Sequence, residues 1–242
     1  MRIGRAVLTN RRQTRRMSVM STVVGIVFVA GTSHSLPLFA RELPGTALGT
    51  VTAVNGEVHR VRAGKQTVVN LGLAVRINDE FRTDAKSGVT ITMRGGSSIQ
   101  LSESTDFIVD QYAIGEDRLV SARFRLARGR VRALVNEKFA SANGSGFEVM
   151  TPNAVAAVRG TEFAIWHVIG KPCPGFLSCL EYTDVNVFAG TVELSNPTNP
   201  TASTVRVGAG YASAVPCSLP PTRPEPISSP TTIQSNGRPA SS

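Results

Sequence analysis

Aromatic residues are scarce in this 242-residue chain, where 10 Phe, 3 Tyr and 1 Trp make up 6% of the composition. Too few rings interleave with the basic residues to stack bases, which argues against a single-stranded nucleic-acid binder. Only 3 histidines are present, and no two of them lie at a metal-ligand spacing. The chain also lacks G-x-S-x-G, H-E-x-x-H, a phosphate loop and any Cys–His signature. Glu57, Glu103 and Glu162 are carboxylates whose separation nothing in the sequence sets. The expectation is therefore a protein with no catalytic residues, no cofactor and no metal; an enzyme acting on envelope polysaccharide is the weakest reading.

Acidic residues are missing from residues 1–40, which hold six arginines: Arg2, Arg5, Arg11, Arg12, Arg15 and Arg16. The formal charge of +9 comes mostly from this segment, since without it 20 basic residues face 17 acidic ones. A basic flank before the apolar run VMSTVVGIVFVAG, residues 19–31, is the pattern of an export signal. Ser35 and Ala40 are small residues that suit cleavage. The uncharged stretch 17–40 is also long enough to stay as a membrane anchor. The expected location is periplasmic or secreted after cleavage, or anchored in the inner membrane with the body outside.

Cys173 and Cys179 bracket the loop CPGFLSC, and Cys217 lies further on. In an oxidising compartment a Cys173–Cys179 disulfide is expected to staple that loop, although three pairings are possible. Residues 216–242 are rich in Pro, Ser and Thr and are expected to be a disordered tail.

Between residues 49 and 215 short stretches alternate apolar and polar residues, with no helical period longer than about two turns. GVTITM (88–93) and SSIQL (97–101) flank RGG as a hairpin. In LVSARFRLARGRVRALV (119–135) the apolar parity flips across Arg128-Gly129, which reads as a turn between two strands. Gly-x-Val recurs at Gly56-Glu57-Val58, Gly129-Arg130-Val131 and Gly190-Thr191-Val192. The intervals of 73 and 61 residues are too unequal for a repeat array. The fold class expected is all-β, a single domain of short antiparallel strands, solenoid-like or sandwich-like.

Read in order, these segments resemble the FecR domain family. The resemblance rests on GTVTAVNGEVHRV (49–61), VRINDEFRTDAKSGVTITMRGGSSIQLSESTDFIVD (75–110), FRLARGRVRALV, FEVMTPNAVAAVRGTEFAIWHV (147–168), VNVFAGTVELS (185–195) and VRVGAGYASAV (205–215). The family's Gly-Asp step stands here as Asn78-Asp79, and Asn also tolerates a left-handed backbone. Val158, Arg159, Gly160, Thr161 and Phe163 are the most specific match, in a domain spanning 49–215. The resemblance implies an all-β fold and an extracytoplasmic sensing or interaction role. In the sigma-regulator branch a cytoplasmic domain precedes the membrane helix, whereas about 16 residues precede the apolar run here, against the ~50 a domain needs.

Within the signature a structural role is favoured over recognition, with Gly160 permitting a bend and Arg159 paired to an acid. Arg123, Arg125, Arg130 and Arg132 point the same way by strand alternation, which predicts a basic face for an anionic partner, or else a solvated one. Trp166 and His167 are expected in the core and near a sheet edge. The function expected is a non-catalytic extracytoplasmic binding module in cell-envelope signalling, or a membrane-anchored regulator of the FecR type. Its partner would be a protein or an anionic envelope polymer, not nucleic acid.

Overall fold

The computed structural model describes residues 46–114, 119–136 and 146–227. The expected signal segment, Arg118 and residues 228–242 lie outside these. Among the described residues there are no helices, and the strands are β1 (Gly49–Asn55), β2 (Val58–Arg62), β3 (Lys65–Val68), β4 (Ala74–Val75), β5 (Glu80–Thr83), β6 (Gly88–Met93), β7 (Ser98–Leu101), β8 (Asp106–Ile114) and β9 (Leu119–Leu134). They continue as β10 (Phe147–Met150), β11 (Val155–Val158), β12 (Glu162–Ile169), β13 (Glu181–Ala189), β14 (Thr191–Ser195), β15 (Val205–Gly208), β16 (Tyr211–Pro216) and β17 (Glu225–Pro226). The all-β, single-domain expectation holds. All pairings are antiparallel except β9–β10, which is parallel.

The strands form one unclosed sheet folded into two layers. One layer runs β4-β1-β6-β7-β9-β12-β13-β16-β17. The other runs β3-β2-β5-β8-β9-β10-β11-β14-β15. We call them the first and second layers. β9 belongs to both, so the stretch read as two strands and a turn is one 16-residue strand. Its parity flip is nonetheless real. Ala122, Phe124 and Leu126 fill the core from the second layer, and Val131 and Ala133 fill it from the first. Phe124 packs against Phe107, Tyr112 and Phe147 at 5.4, 6.5 and 5.0 Å between ring centroids. Those few aromatics are spent on the centre of the second layer.

Each Gly-x-Val marks a place where the chain crosses between layers, and each crossing is closed by a buried hydroxyl from a neighbouring crossing. The Glu57 amide donates to Ser87 Oγ at 2.9 Å, the Arg130 amide to Thr105 Oγ1 at 3.0 Å, and the Thr191 amide to Thr161 Oγ1 at 3.3 Å. Each hydroxyl also lies within donating distance of the carbonyl two residues before it: Ser87 to Ala85 at 3.2 Å, Thr105 to Glu103 at 3.1 Å, Thr161 to Arg159 at 3.0 Å. The glycines have positive φ, and a Cβ would lie 2.3 Å from Ser87 Oγ, 2.4 Å from Thr105 Oγ1 and 2.7 Å from the Gly160 carbonyl oxygen at Gly56, Gly129 and Gly190 respectively. Val58, Val131 and Val192 then enter the core fully buried.

Two expectations need correction. Residues 216–227 do not begin a disordered tail: β16 runs to Pro216, β17 pairs with it, and the Thr222 amide donates to the Ala214 carbonyl at 2.8 Å. Proline fits there because an edge position leaves its missing N–H unneeded. The disulfide joins Cys179 to Cys217, with Cα atoms 5.8 Å apart, and Cys173 is a buried free thiol. The cause is the same continuation of the chain. Past β16, the Cys217 amide donates to the Glu181 carbonyl at 2.9 Å, which brings Cys217 against Cys179.

The crossings supply a stability test. Gly129→Ala should cost about 3 kcal/mol or more, because the methyl group meets backbone as well as hydroxyl. Gly64 also has positive φ but open space around it, so Gly64→Ala should cost only about 1–2 kcal/mol. Denaturant midpoints of the two variants check this, and equal losses would remove the packing argument.

Candidate functional site

Outward positions of the first layer come from one parity of each strand. On β9 these are Arg130, Arg132 and Leu134, on β12 Glu162, Ala164 and Trp166, and on β13 Asp184, Asn186 and Phe188. In register, Trp166 lies between Arg130 on one side and Asp184 on the other, and Ala164 lies between Arg132 and Asn186. The Arg130 guanidinium sits 5.7 Å from the centroid of the Trp166 ring, and that of Arg132 sits 4.6 Å from Phe188. Arg132 also donates to Glu162 Oε1 from Nε at 3.0 Å and from a terminal nitrogen at 2.6 Å. Trp166 is 45% exposed, Leu134 54% and Phe188 38%. The patch is thus apolar at its centre, with cations over its rings.

One end of the patch is bounded by the 170–180 loop. Cys173, Cys179, Val168 and Tyr182 form a separate small core, joined by Ala214 and Cys217. Phe176 and Leu177 remain exposed on the outside of the loop. Asp184 stands beside this core, and burial pushes its carboxyl up to about 6. Burial, and secondarily the Asp184 charge, raises the Cys173 thiol. On the inner side of the same strands His167 is buried and accepts from or donates to Thr183 Oγ1 at 3.1 Å. Burial lowers its pKa, opposed by Glu181. Thr183 in turn donates to Asn153 Oδ1 at 2.6 Å, and Asn153 Nδ2 donates to the Val215 carbonyl at 2.7 Å. His167 is therefore core, as expected, while Trp166 is exposed in the middle of a layer and at no edge.

The four arginines expected on one basic face are divided. β9 changes layer at Gly129, so Arg123 and Arg125 point out of the second layer, and Arg130 and Arg132 out of the first. Arg123 pairs with Glu148 at 3.0 Å, Arg125 with Asp110 at 3.0 Å and Arg132 with Glu162 at 2.6 Å. Alternation along one strand could not reveal the change of layer, nor the acids that arrive from β8, β10 and β12. Among the described residues Glu57, His59 and Asp84 could present a metal with donor atoms within 4.8 Å of one another. Both carboxylates are exposed, and His59 Nε2 already faces Glu57 at 3.0 Å.

Residues 79–193 match the family model described as FecR protein. Over that span the chain is similar to the FecR family. Two crystal structures of a candidate anti-sigma factor from Parabacteroides distasonis ATCC 8503 are similar to it at 17% identity, each with a TM-score of 0.44 over 61% of this chain. The likeness spans 59% of the length of those structures. No curated protein matches the chain.

The residues that resemble the FecR signature lie around the junction of β11 and β12. Val158 is buried at the end of β11, and Gly160 takes a φ of 58°. Thr161 is the buried hydroxyl of the third crossing, and Phe163 is fully buried in β12. Arg159 is exposed and makes no ion pair among the described residues, contrary to the pairing expected for it. The domain's Asn78-Asp79 step has Asn78 at a φ of 62°. Asp79, fully buried, accepts from Arg62 Nε and a terminal nitrogen at 2.5 Å each, and from the Arg76 amide at 2.8 Å.

Asp184 gives a pH test. Its folded pKa lies above the ordinary carboxylate value, so the folded state holds a proton that the unfolded state releases between about pH 4 and 6. Stability from this group is present below about pH 4 and lost as pH rises through about 6. Asp184→Asn should therefore stabilise the protein by about 1–2 kcal/mol at pH 7.5 and by almost nothing at pH 4. Denaturant unfolding at both values measures the difference, and an equal gain at both would contradict the assignment.

Proposed function

We propose that the protein is a non-catalytic binding module acting outside the cytoplasm in cell-envelope signalling, and that it engages a protein partner through the first-layer patch. The similarity to the FecR family supports the regulatory setting. The observation that carries the surface is the exposed Trp166, with Arg130 and Arg132 placed over Trp166 and Phe188. Tryptophan and arginine dominate protein–protein hot spots because they bury a large apolar area while placing charge specifically. Strands on both sides hold these side chains, so little entropy is lost on docking.

A protein partner suits this patch better than an anionic polymer. A polyanion needs unpaired cations in a row, whereas Arg132 is already held by Glu162 and by a ring. The export signal expected in residues 1–40 would deliver the module to the periplasm or beyond. Retained as an anchor, the same segment would make it a membrane-tethered regulator.

The test is photo-crosslinking in the native host from a probe amino acid placed at residue 166, with residue 206 on the second layer as control. A discrete protein adduct from 166, absent from 206 and abolished by Arg132→Glu, is expected. With that partner in hand, Trp166→Ala should weaken binding by about 30-fold while the fold survives. Equal adducts from both positions, or binding indifferent to Trp166, would set the patch aside.

A further inference from the structure

Three cysteines share one small buried core, but only two are bonded. Cys173 is fully buried, and its amide donates to the Cys179 carbonyl at 2.8 Å. That bond lies across a narrow turn in which the Phe176 amide donates to the Cys173 carbonyl at 2.9 Å and the Cys179 amide to the Phe176 carbonyl at 2.8 Å. A single N–H···O bond of this length holds the two α-carbons within roughly 6.5 Å of each other, inside the span a disulfide bridges. Cys179 thus has two neighbours able to bond it: Cys217, which does, and Cys173, which packs in the same cluster with Val168, Tyr182 and Ala214. The bonded partner is the one under conformational load, since Cys217 is held at a φ of 44°, in the left-handed region that a β-carbon disfavours.

We propose that Cys173 is an internal nucleophile for the Cys179–Cys217 bond, and that exchange between the two pairings releases the segment after Cys217 from the domain. Cys173 Sγ gives its proton to solvent and attacks Cys179 Sγ. The Cys173–Cys179 bond forms as the Cys179–Cys217 bond breaks, and the electron pair leaves on Cys217 Sγ, which takes up a proton. One disulfide and one thiol stand on each side, so no oxidant or reductant is consumed.

The resting state is kept by burial, which holds the Cys173 thiol protonated and away from solvent. Exchange therefore follows local opening of the 170–180 loop. Its consequence is specific. Residues 218–227 would lose their only covalent tie to the body other than the chain itself. Their remaining holds include the Asn196 side-chain amide on the Leu219 carbonyl at 2.7 Å, the Asn199 side-chain amide on the Ser218 carbonyl at 3.1 Å, the Thr222 contacts to Ser213 and Ala214, β17, and the Ile227 amide on the Gly210 carbonyl at 2.9 Å.

The test uses the full oxidised chain, incubated at about pH 8.5 to raise the thiolate fraction, trapped with a maleimide and mapped by peptide mass spectrometry. The expected products are a Cys173–Cys179 linked peptide and maleimide on Cys217, formed at a rate independent of protein concentration. In Cys173→Ala, Cys217 should stay unlabelled under the same conditions. Separately, Cys217→Ser treated with oxidised glutathione should close a Cys173–Cys179 bond. Label confined to Cys173 with Cys179–Cys217 intact would overturn the proposal. So would equal Cys217 labelling in wild type and Cys173→Ala.

Discussion

Three buried hydroxyls on three glycines fix where this chain changes layer, and the rest of the sandwich depends on them. Ser87, Thr105 and Thr161 each accept a backbone amide at one crossing and sit within reach of a carbonyl at their own. A crossing exposes backbone groups that no ladder can satisfy, and an unpaired buried amide costs about 1–3 kcal/mol. A hydroxyl can accept and donate at once, which satisfies two such groups with one small side chain. It can do so only if the opposing residue has no β-carbon, hence the glycine. The valine two residues later then points inward by simple alternation. Hydroxyl, glycine and valine therefore form one device used three times, at unequal sequence intervals because the intervening loops differ.

This device explains what was legible in the sequence and what was not. Gly-x-Val was visible as a recurrence, and the alternating runs gave the all-β class. The partner hydroxyls were invisible, because Ser87, Thr105 and Thr161 lie 31, 24 and 29 residues from their glycines and nothing local pairs them. The parity flip at Gly129 was visible but ambiguous. A hairpin turn and a change of layer both invert which residues face the core, and only the partners of β9 decide between them. The tail from Pro216 carries few core-forming residues, so its first part looked dispensable. It is held by polar contacts, Asn153 and Asn196 to the Cys217 carbonyl at 3.4 and 3.0 Å, and such contacts leave no hydropathy trace. The disulfide partner was lost with it.

The family match begins at Asp79 and ends at Glu193. Asp79 is a fully buried carboxylate held by a bidentate arginine. Removing one member of such a pair strands a buried charge, so the position tolerates little change. Its neighbour Asn78, in place of glycine, keeps the left-handed turn at modest cost. The far limit lies just past Gly190-Thr191-Val192, the last of the three crossings. What lies outside the match, including β1 to β4 and β15 to β17, adds strands to the two ends of each layer. The cysteine core straddles that boundary: Cys173 and Cys179 lie within the matched span and Cys217 outside it.

The two outer faces of the sandwich differ in chemistry, and the difference argues for the first layer as the binding side. The second layer is laced with ion pairs: Arg82–Glu80, Arg123–Glu148, Arg125–Asp110 and Arg206–Glu193. Such pairs contribute little to stability when exposed, yet a partner covering them must strip their water and recover it by perfect geometry. They suit a face that stays wet. Away from its patch the first layer presents neutral hydroxyls and amides, including Thr52 bonded to Thr92 at 3.1 Å, and Gln100 beside Arg132. Its charges near the patch lie over rings, are paired as Arg132 is with Glu162, or, at Asp184, are shifted towards the neutral form by burial. Covering Trp166, Phe188 and Leu134 removes apolar area from water at about 25 cal/mol per Å². On the function proposed above, this face has more apolar area to cover and fewer ion pairs to desolvate than the second layer.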